Sequence, residues 1–69
     1  MCSSSAYMQH DGRTELILEE VMLLEPRGTG YRLVGLLGEE RILEQVRLLE
    51  IDFERDRILL CSTEAASRG

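Results

Sequence analysis

Val46-Arg47-Leu48-Leu49-Glu50-Ile51-Asp52-Phe53 is the stretch on which the fold turns. Read with a period of two, Leu49, Ile51 and Phe53 face inward while Glu50, Asp52 and Glu54 face water, the pattern of a half-buried strand. Read with the helical period and started further back, Ile42, Val46, Leu49 and Phe53 share one face, and the Glu, Leu, Arg and Gln of that window are good helix formers. Thr14 to Glu25, rich in Leu and Glu and ended by Pro26, carries a weaker form of the same ambiguity. Local pattern leaves both readings open.

Turn signals on either side cut the rest of the chain into short apolar pieces. They fall at Asp11-Gly12, at Pro26-Arg27-Gly28-Thr29-Gly30, at Gly38-Glu39 and at the polar run Glu54-Arg55-Asp56-Arg57. The pieces between them read as strands over Ser4 to Gln9, Arg13 to Leu18, Val21 to Glu25, Tyr31 to Leu36, Arg41 to Leu43, Val46 to Phe53 and Arg57 to Cys61. Their spacing suits a small antiparallel barrel or sandwich of about six to seven short strands. Asp11-Gly12 between two such runs is a hairpin signal. One domain is expected over residues 1–61, and the small polar residues 62–69 are expected to form a flexible C-terminal tail.

Size and charge bound the function. A chain of 69 residues buries only about 60% of the surface its unfolded form exposes, so a second copy that supplies further core makes a homodimer the default expectation. No stretch approaches the roughly 20 apolar residues of a membrane span. Eight arginines, no lysine and thirteen acidic residues give a net charge of −5. That balance repels phosphate backbones and argues against nucleic acid as a partner. The two tyrosines and one phenylalanine are too few for a base-stacking platform. With no leader ahead of Cys2, the expected location is the cytoplasm, where Cys2 and Cys61 stay reduced.

No catalytic constellation is visible, and an enzyme is not expected. Arg27-Gly28-Thr29-Gly30 lacks the Lys-Ser/Thr of a phosphate-binding loop and reads as a hairpin turn. Glu19-Glu20 and Glu39-Glu40 are paired carboxylates with no nucleophile beside them, and read as solvated positions.

Met1-Cys2 is the feature with chemistry in it. The small residue at position two favours removal of Met1, which leaves a free α-amine beside the thiol of Cys2. Amine and thiolate of one residue close a five-membered ring on a late transition ion such as nickel, copper or zinc. Two N-termini brought together in a dimer supply two sulfurs and two nitrogens, a donor set suited to square-planar nickel, with half a site on each chain. The deprotonated backbone amide of Ser3 is a further candidate donor. His10, beside the Asp11-Gly12 turn, reads first as a solvated residue and second as a ligand, since imidazole binds such ions well. It stands up to ~28 Å of extended chain from Cys2, so only a contact across a dimer would join the two. Cys61 reads as a small buried hydrophobe, with a metal or redox partnership to Cys2 as the alternative.

Taken in order, Met1-Cys2, Ala6-Tyr7, Leu18-Glu19-Glu20-Val21, Leu36-Leu37-Gly38-Glu39-Glu40, Ile51-Asp52-Phe53 and the Ile58 and Leu60 of the last strand resemble the CooT family of small nickel-binding proteins, accessory to carbon monoxide dehydrogenase maturation. The resemblance spans residues 1 to about 60. It implies a compact SH3-like or Sm-like β-barrel, usually dimeric, and it resolves the fold class as all-β. It also implies that the metal-binding cysteine is Cys2, that the ion is Ni(II), and that a recipient metalloenzyme or its maturation proteins are partners. Cys61 departs from the family pattern, in which relatives more often end in an acidic tail. An RNA-binding or protein-interaction barrel without a metal role is the alternative, since relatives are often labelled as RNA-binding, and a helical oligomerisation module is the third.

Overall fold

A 15-residue strand that bends in its middle organises the molecule. In a computed structural model describing residues 4–63, the strands are β1 (Ser4–His10), β2 (Arg13–Arg27), β3 (Gly30–Gly35), β4 (Glu40–Leu43), β5 (Val46–Asp52) and β6 (Arg57–Ser62). They form one sheet in the order β4-β3-β2-β1-β6-β5. The sequence reading split β2 at Glu19-Glu20; the structure joins its halves through a bulge. Glu20 takes a left-handed backbone, φ 53°, and the ladders to β1 and to β3 both lose register around Val21. An extra residue of this kind bends a strand and sharpens its twist. The first half of β2 therefore pairs with β1, and the second half carries β3 and β4 back over the concave face, so that β3 packs against β5. The fold is all-β as expected, its six strands forming one sheet curled into a half-barrel.

Two expectations about β5 and one about the sheet need correction. Leu49, Ile51 and Phe53 do not share an inward face. A register shift between Leu48 and Glu50 interrupts the alternation, so Val46 is buried and Leu48 packs on the core while Leu49 and Ile51 are exposed. The strand then ends at Asp52, which puts Phe53 in a turn. The helical alternatives for Thr14 to Glu25 and for Ile42 to Phe53 are replaced by strands, because pairing with β1, β3 and β6 overrides local propensity. Nor is the sheet wholly antiparallel: β1 and β6 run parallel, a long-range pairing that no turn signal announces.

The hairpins follow the sequence. Asp11 and Gly12, φ 52° and 73°, make the left-handed two-residue turn that matches strand twist. The Gly28-Thr29 turn joins β2 to β3 and leads to Gly30, where a Cβ would lie 1.8 Å from the Leu43 carbonyl oxygen. Only glycine admits that approach of β3 to β4. The end of the half-barrel away from the bend is fastened at Gln45. Its N–H donates to Thr29 Oγ1 at 3.1 Å, and its carbonyl accepts the Thr63 N–H at 2.8 Å and the Thr63 hydroxyl at 2.9 Å. Ser62 closes β6 opposite Val46, so Ser62 and Thr63 belong to the folded body and not to a tail; residues 64–69 lie outside the described residues.

The core is thin. Ala6, Leu18, Val21, Leu33, Ile58 and Leu60 form it, flanked by Met8, Ile17, Leu24, Tyr31, Leu43 and Leu48, and only Leu33 and Leu60 are large side chains buried completely. Across the convex face Arg32 joins Glu25 and Glu40. The hydrogen bond to Glu40, then that to Glu25, raises the Arg32 guanidinium above its ordinary value. The described residues contain no helix long and apolar enough to cross a membrane.

Candidate functional site

The bend of β2 gathers residues from four parts of the sequence at one end of the molecule. Ser4, the first described residue, lies opposite Val21 on β2, and Val21 lies opposite Gly35 on β3. On the other side Ser5 lies opposite Arg57 on β6, and Arg57 opposite Asp52 on β5. At about 4.8 Å per strand, Gly35 and Asp52 each stand roughly 10 Å from the start of β1. The chain upstream of Ser4 thus meets the body midway between two turns, Leu36-Leu37-Gly38-Glu39 and Phe53-Glu54-Arg55-Asp56.

Backbone bonds fix both flanks. The left-handed Glu20 turns its carbonyl toward β3, where it accepts the Leu36 N–H at 3.0 Å; Gly35 and Gly38 close the following turn with bonds to Glu39 (2.8 Å) and Gly35 (3.1 Å). Glu39 Oε1 accepts the Leu37 N–H at 2.9 Å. On the other flank Asp56, φ 53°, turns its carbonyl to the Ser5 N–H at 3.0 Å. Asp52 Oδ1 accepts the N–H groups of Glu54 (3.0 Å) and Arg55 (3.1 Å), and its Oδ2 takes the Arg55 guanidinium at 3.1 Å. The Arg55 amide, above all, holds the Asp52 carboxyl below its ordinary value, against partial desolvation that pushes the other way.

Rigid turns here present apolar side chains to solvent. Leu37 is 87% exposed and Phe53 83%, the highest values among the large hydrophobic residues described, with Leu36 beside them at 55%. The sequence hid this property because Phe53 continues the period-two pattern of β5, and only the bulge and the strand end reveal its exposure.

The residues singled out for metal binding are distributed unevenly. Cys2 and Ser3 lie outside the described residues, and the chain that bears them joins the body at Ser4. His10 is at the other end of β1, about 20 Å from Ser4 at strand rise. Its Nε2 lies 3.3 Å from Glu15 Oε1 and its Nδ1 3.9 Å from Asp11 Oδ2, at the lip of an open groove of about 400 Å³ whose walls include Met8, Ile17, Ile42 and Glu44. Cys61 is a free thiol opposite Gln9 and Arg47. It is half-buried, not enclosed, because it alternates with the buried Leu60 and so sits on the convex side of the sheet, which no second layer covers. Neither His10 nor Cys61 stands at the end where β1 begins. Among the described residues no three His, Cys, Asp or Glu side chains are grouped to hold a metal ion, so the described side chains provide no metal site by themselves.

The sequence model of one family, described as CooT, CO dehydrogenase accessory protein, matches residues 1–61. A crystal structure assigned as the CooT of Carboxydothermus hydrogenoformans superposes with a TM-score of 0.81 at 28% identity, covering 88% of this chain and 97% of that one. No curated protein gives a significant match.

Proposed function

This chain belongs to the CooT family of CO dehydrogenase accessory proteins, and from that premise we propose that it binds Ni(II) through Cys2 at a site shared between two copies and hands the ion to a metalloenzyme under maturation. Delivery, storage and sensing all use the same reversible coordination. The observation that carries the reading is the position of Ser4, two residues after Cys2 in sequence: it begins β1 at one end of the body, between two well-bonded turns.

Nickel is the cargo, and the donors come from the first residues. Once Met1 is removed, the Cys2 thiolate and α-amine chelate it, with the Ser3 amide as a further donor. A cation close to the thiol favours the thiolate form that binds. One chain offers one sulfur and a small number of nitrogens; two chains complete a four-donor set. A site at a chain terminus exchanges its ligands readily with a recipient that offers more donors. His10 and Cys61 both lie toward the end of the sheet away from Ser4.

Native mass spectrometry of the untagged protein with nickel, zinc and cobalt, alongside Cys2→Ala, tests the proposal. Nickel taken up at one ion per two chains and lost in the variant is the expected outcome; equal uptake by both proteins overturns it. The same spectra report whether Met1 is present. The RNA-binding alternative predicts a salt-sensitive gel shift with mixed RNA, which the net charge of −5 opposes.

A further inference from the structure

We infer that the groove at the Gln45 end of the half-barrel is a docking site for an extended segment of a partner protein, one in which an aliphatic side chain stands between two basic ones. The groove lies by the end of β1 away from Ser4, and the inference does not depend on the nickel reading.

The groove is apolar within and acidic at its lips. Met8, Ile17, Ile42, Leu43 and Val46 enclose about 400 Å³, and Ile42 in particular is 46% exposed. Glu15 comes from β2 and Glu44 from the turn between β4 and β5, so carboxylates enter from two different walls. His10 Nε2 lies 3.3 Å from Glu15 Oε1 and steadies that carboxylate at the lip. Among the described residues no arginine lines the groove; Arg41 and Arg47 alternate away from their neighbours Ile42 and Val46. A basic segment therefore gains charge-assisted bonds here, and an acidic one meets like charge.

Shape and rigidity favour a chain segment as the occupant. The walls are fixed before anything binds: Gln45 bonds to Thr29 and Thr63, β3 approaches Leu43 closely at Gly30, and Asp11-Gly12 closes the β1–β2 hairpin. Preformed walls lower the ordering cost of binding. The groove is open along one side, so it receives a segment lying across it, whereas a small molecule is held by enclosure. β4, which lines it through Ile42 and Leu43, is an edge of the sheet and pairs with β3 alone among the described residues. Such an edge offers main-chain partners to an extended segment. In an extended segment the neighbours of an inward side chain project away from it. An aliphatic residue then fills the apolar walls while long basic side chains on either side lay their stems along the rim and reach Glu15 and Glu44.

Fluorescence anisotropy of the full chain with two labelled peptides, Gly-Arg-Leu-Arg-Gly and Gly-Glu-Leu-Glu-Gly, tests the inference. The basic peptide should bind saturably to wild type and equally to Cys2→Ala, at least 10-fold more tightly than the acidic one. Ile42→Ser, and separately Glu15→Gln with Glu44→Gln, should each weaken that binding at least 10-fold. Both variants should keep a wild-type circular dichroism spectrum, because all three side chains are exposed. Glu19→Gln with Glu54→Gln removes the same charge from exposed positions outside the groove and should leave the affinity within about twofold of wild type. Absence of saturable binding, groove variants that bind like wild type, or equal weakening by the Glu19 and Glu54 pair overturns the inference.

Discussion

The carbonyl of Asp56, in a left-handed backbone, accepts the amide hydrogen of Ser5 at 3.0 Å, so the turn after β5 holds the first strand at the point where the chain joins the body. Asp tolerates this conformation through its short polar side chain, whereas a β-branched residue does not. Asp56→Val is expected to cost about 1–2 kcal/mol, and Asp56→Gly to be neutral or stabilising. Hydrogen exchange at the Ser5 amide distinguishes a local from a global effect: it should accelerate in the valine variant more than exchange at amides in the middle of β6.

Asp52 governs the acid limit of the same turn. Its carboxyl is held below the ordinary value of 3.8 by the Arg55 and Glu54 amides and the Arg55 side chain. A depressed folded-state value means that the stabilisation is complete above the ordinary value and is lost as the pH falls through the lower, folded one. Acid unfolding of Asp52→Asn, followed by circular dichroism, should therefore show a shallower decline than wild type below about pH 4. Identical acid limbs would remove Asp52 from the account of this turn.

Core packing leaves little reserve. Leu60→Ala empties a fully enclosed site and should cost about 2–5 kcal/mol, against the 3–5 kcal/mol that a core in a domain of this size usually supplies. The variant is expected to be largely unfolded by urea titration at concentrations wild type withstands.

Gly30→Ala tests the closing of the half-barrel. Its Cβ would fall 1.8 Å from the Leu43 carbonyl, so β3 and β4 must separate, at about 1–3 kcal/mol. Thermal denaturation should register this loss, while the same substitution at Gly28, where a Cβ meets nothing within 4 Å but the φ is 59°, costs only the backbone preference.

Much of this architecture is written locally. Asp11-Gly12 and Gly28-Thr29 mark their hairpins by residue type, and the β6 run from Arg57 reads as the strand it is. The misreadings occur where one residue is inserted into a strand. Glu20 made one bent strand look like two, and the shift at Leu49 made Leu49, Ile51 and Phe53 look like an inward face, because alternation has no memory across a bulge. The parallel pairing of β1 with β6 is long-range and has no local signature. The candidate site divides in the same way. Cys2 is proposed from its position and chemistry in the sequence and lies outside the described residues. The convergence of Leu36-Leu37 and Phe53 on either side of Ser4 follows from strand order, which the sequence does not display.

The central claim concerns nickel and Cys2, and a titration of Ni(II) into the untagged, metal-free protein, followed by thiolate-to-nickel absorption and closed with a metal count, tests it most directly. The account predicts saturation at one nickel per two chains, with the absorption absent in Cys2→Ala. Unchanged absorption and stoichiometry in Cys2→Ala would contradict it.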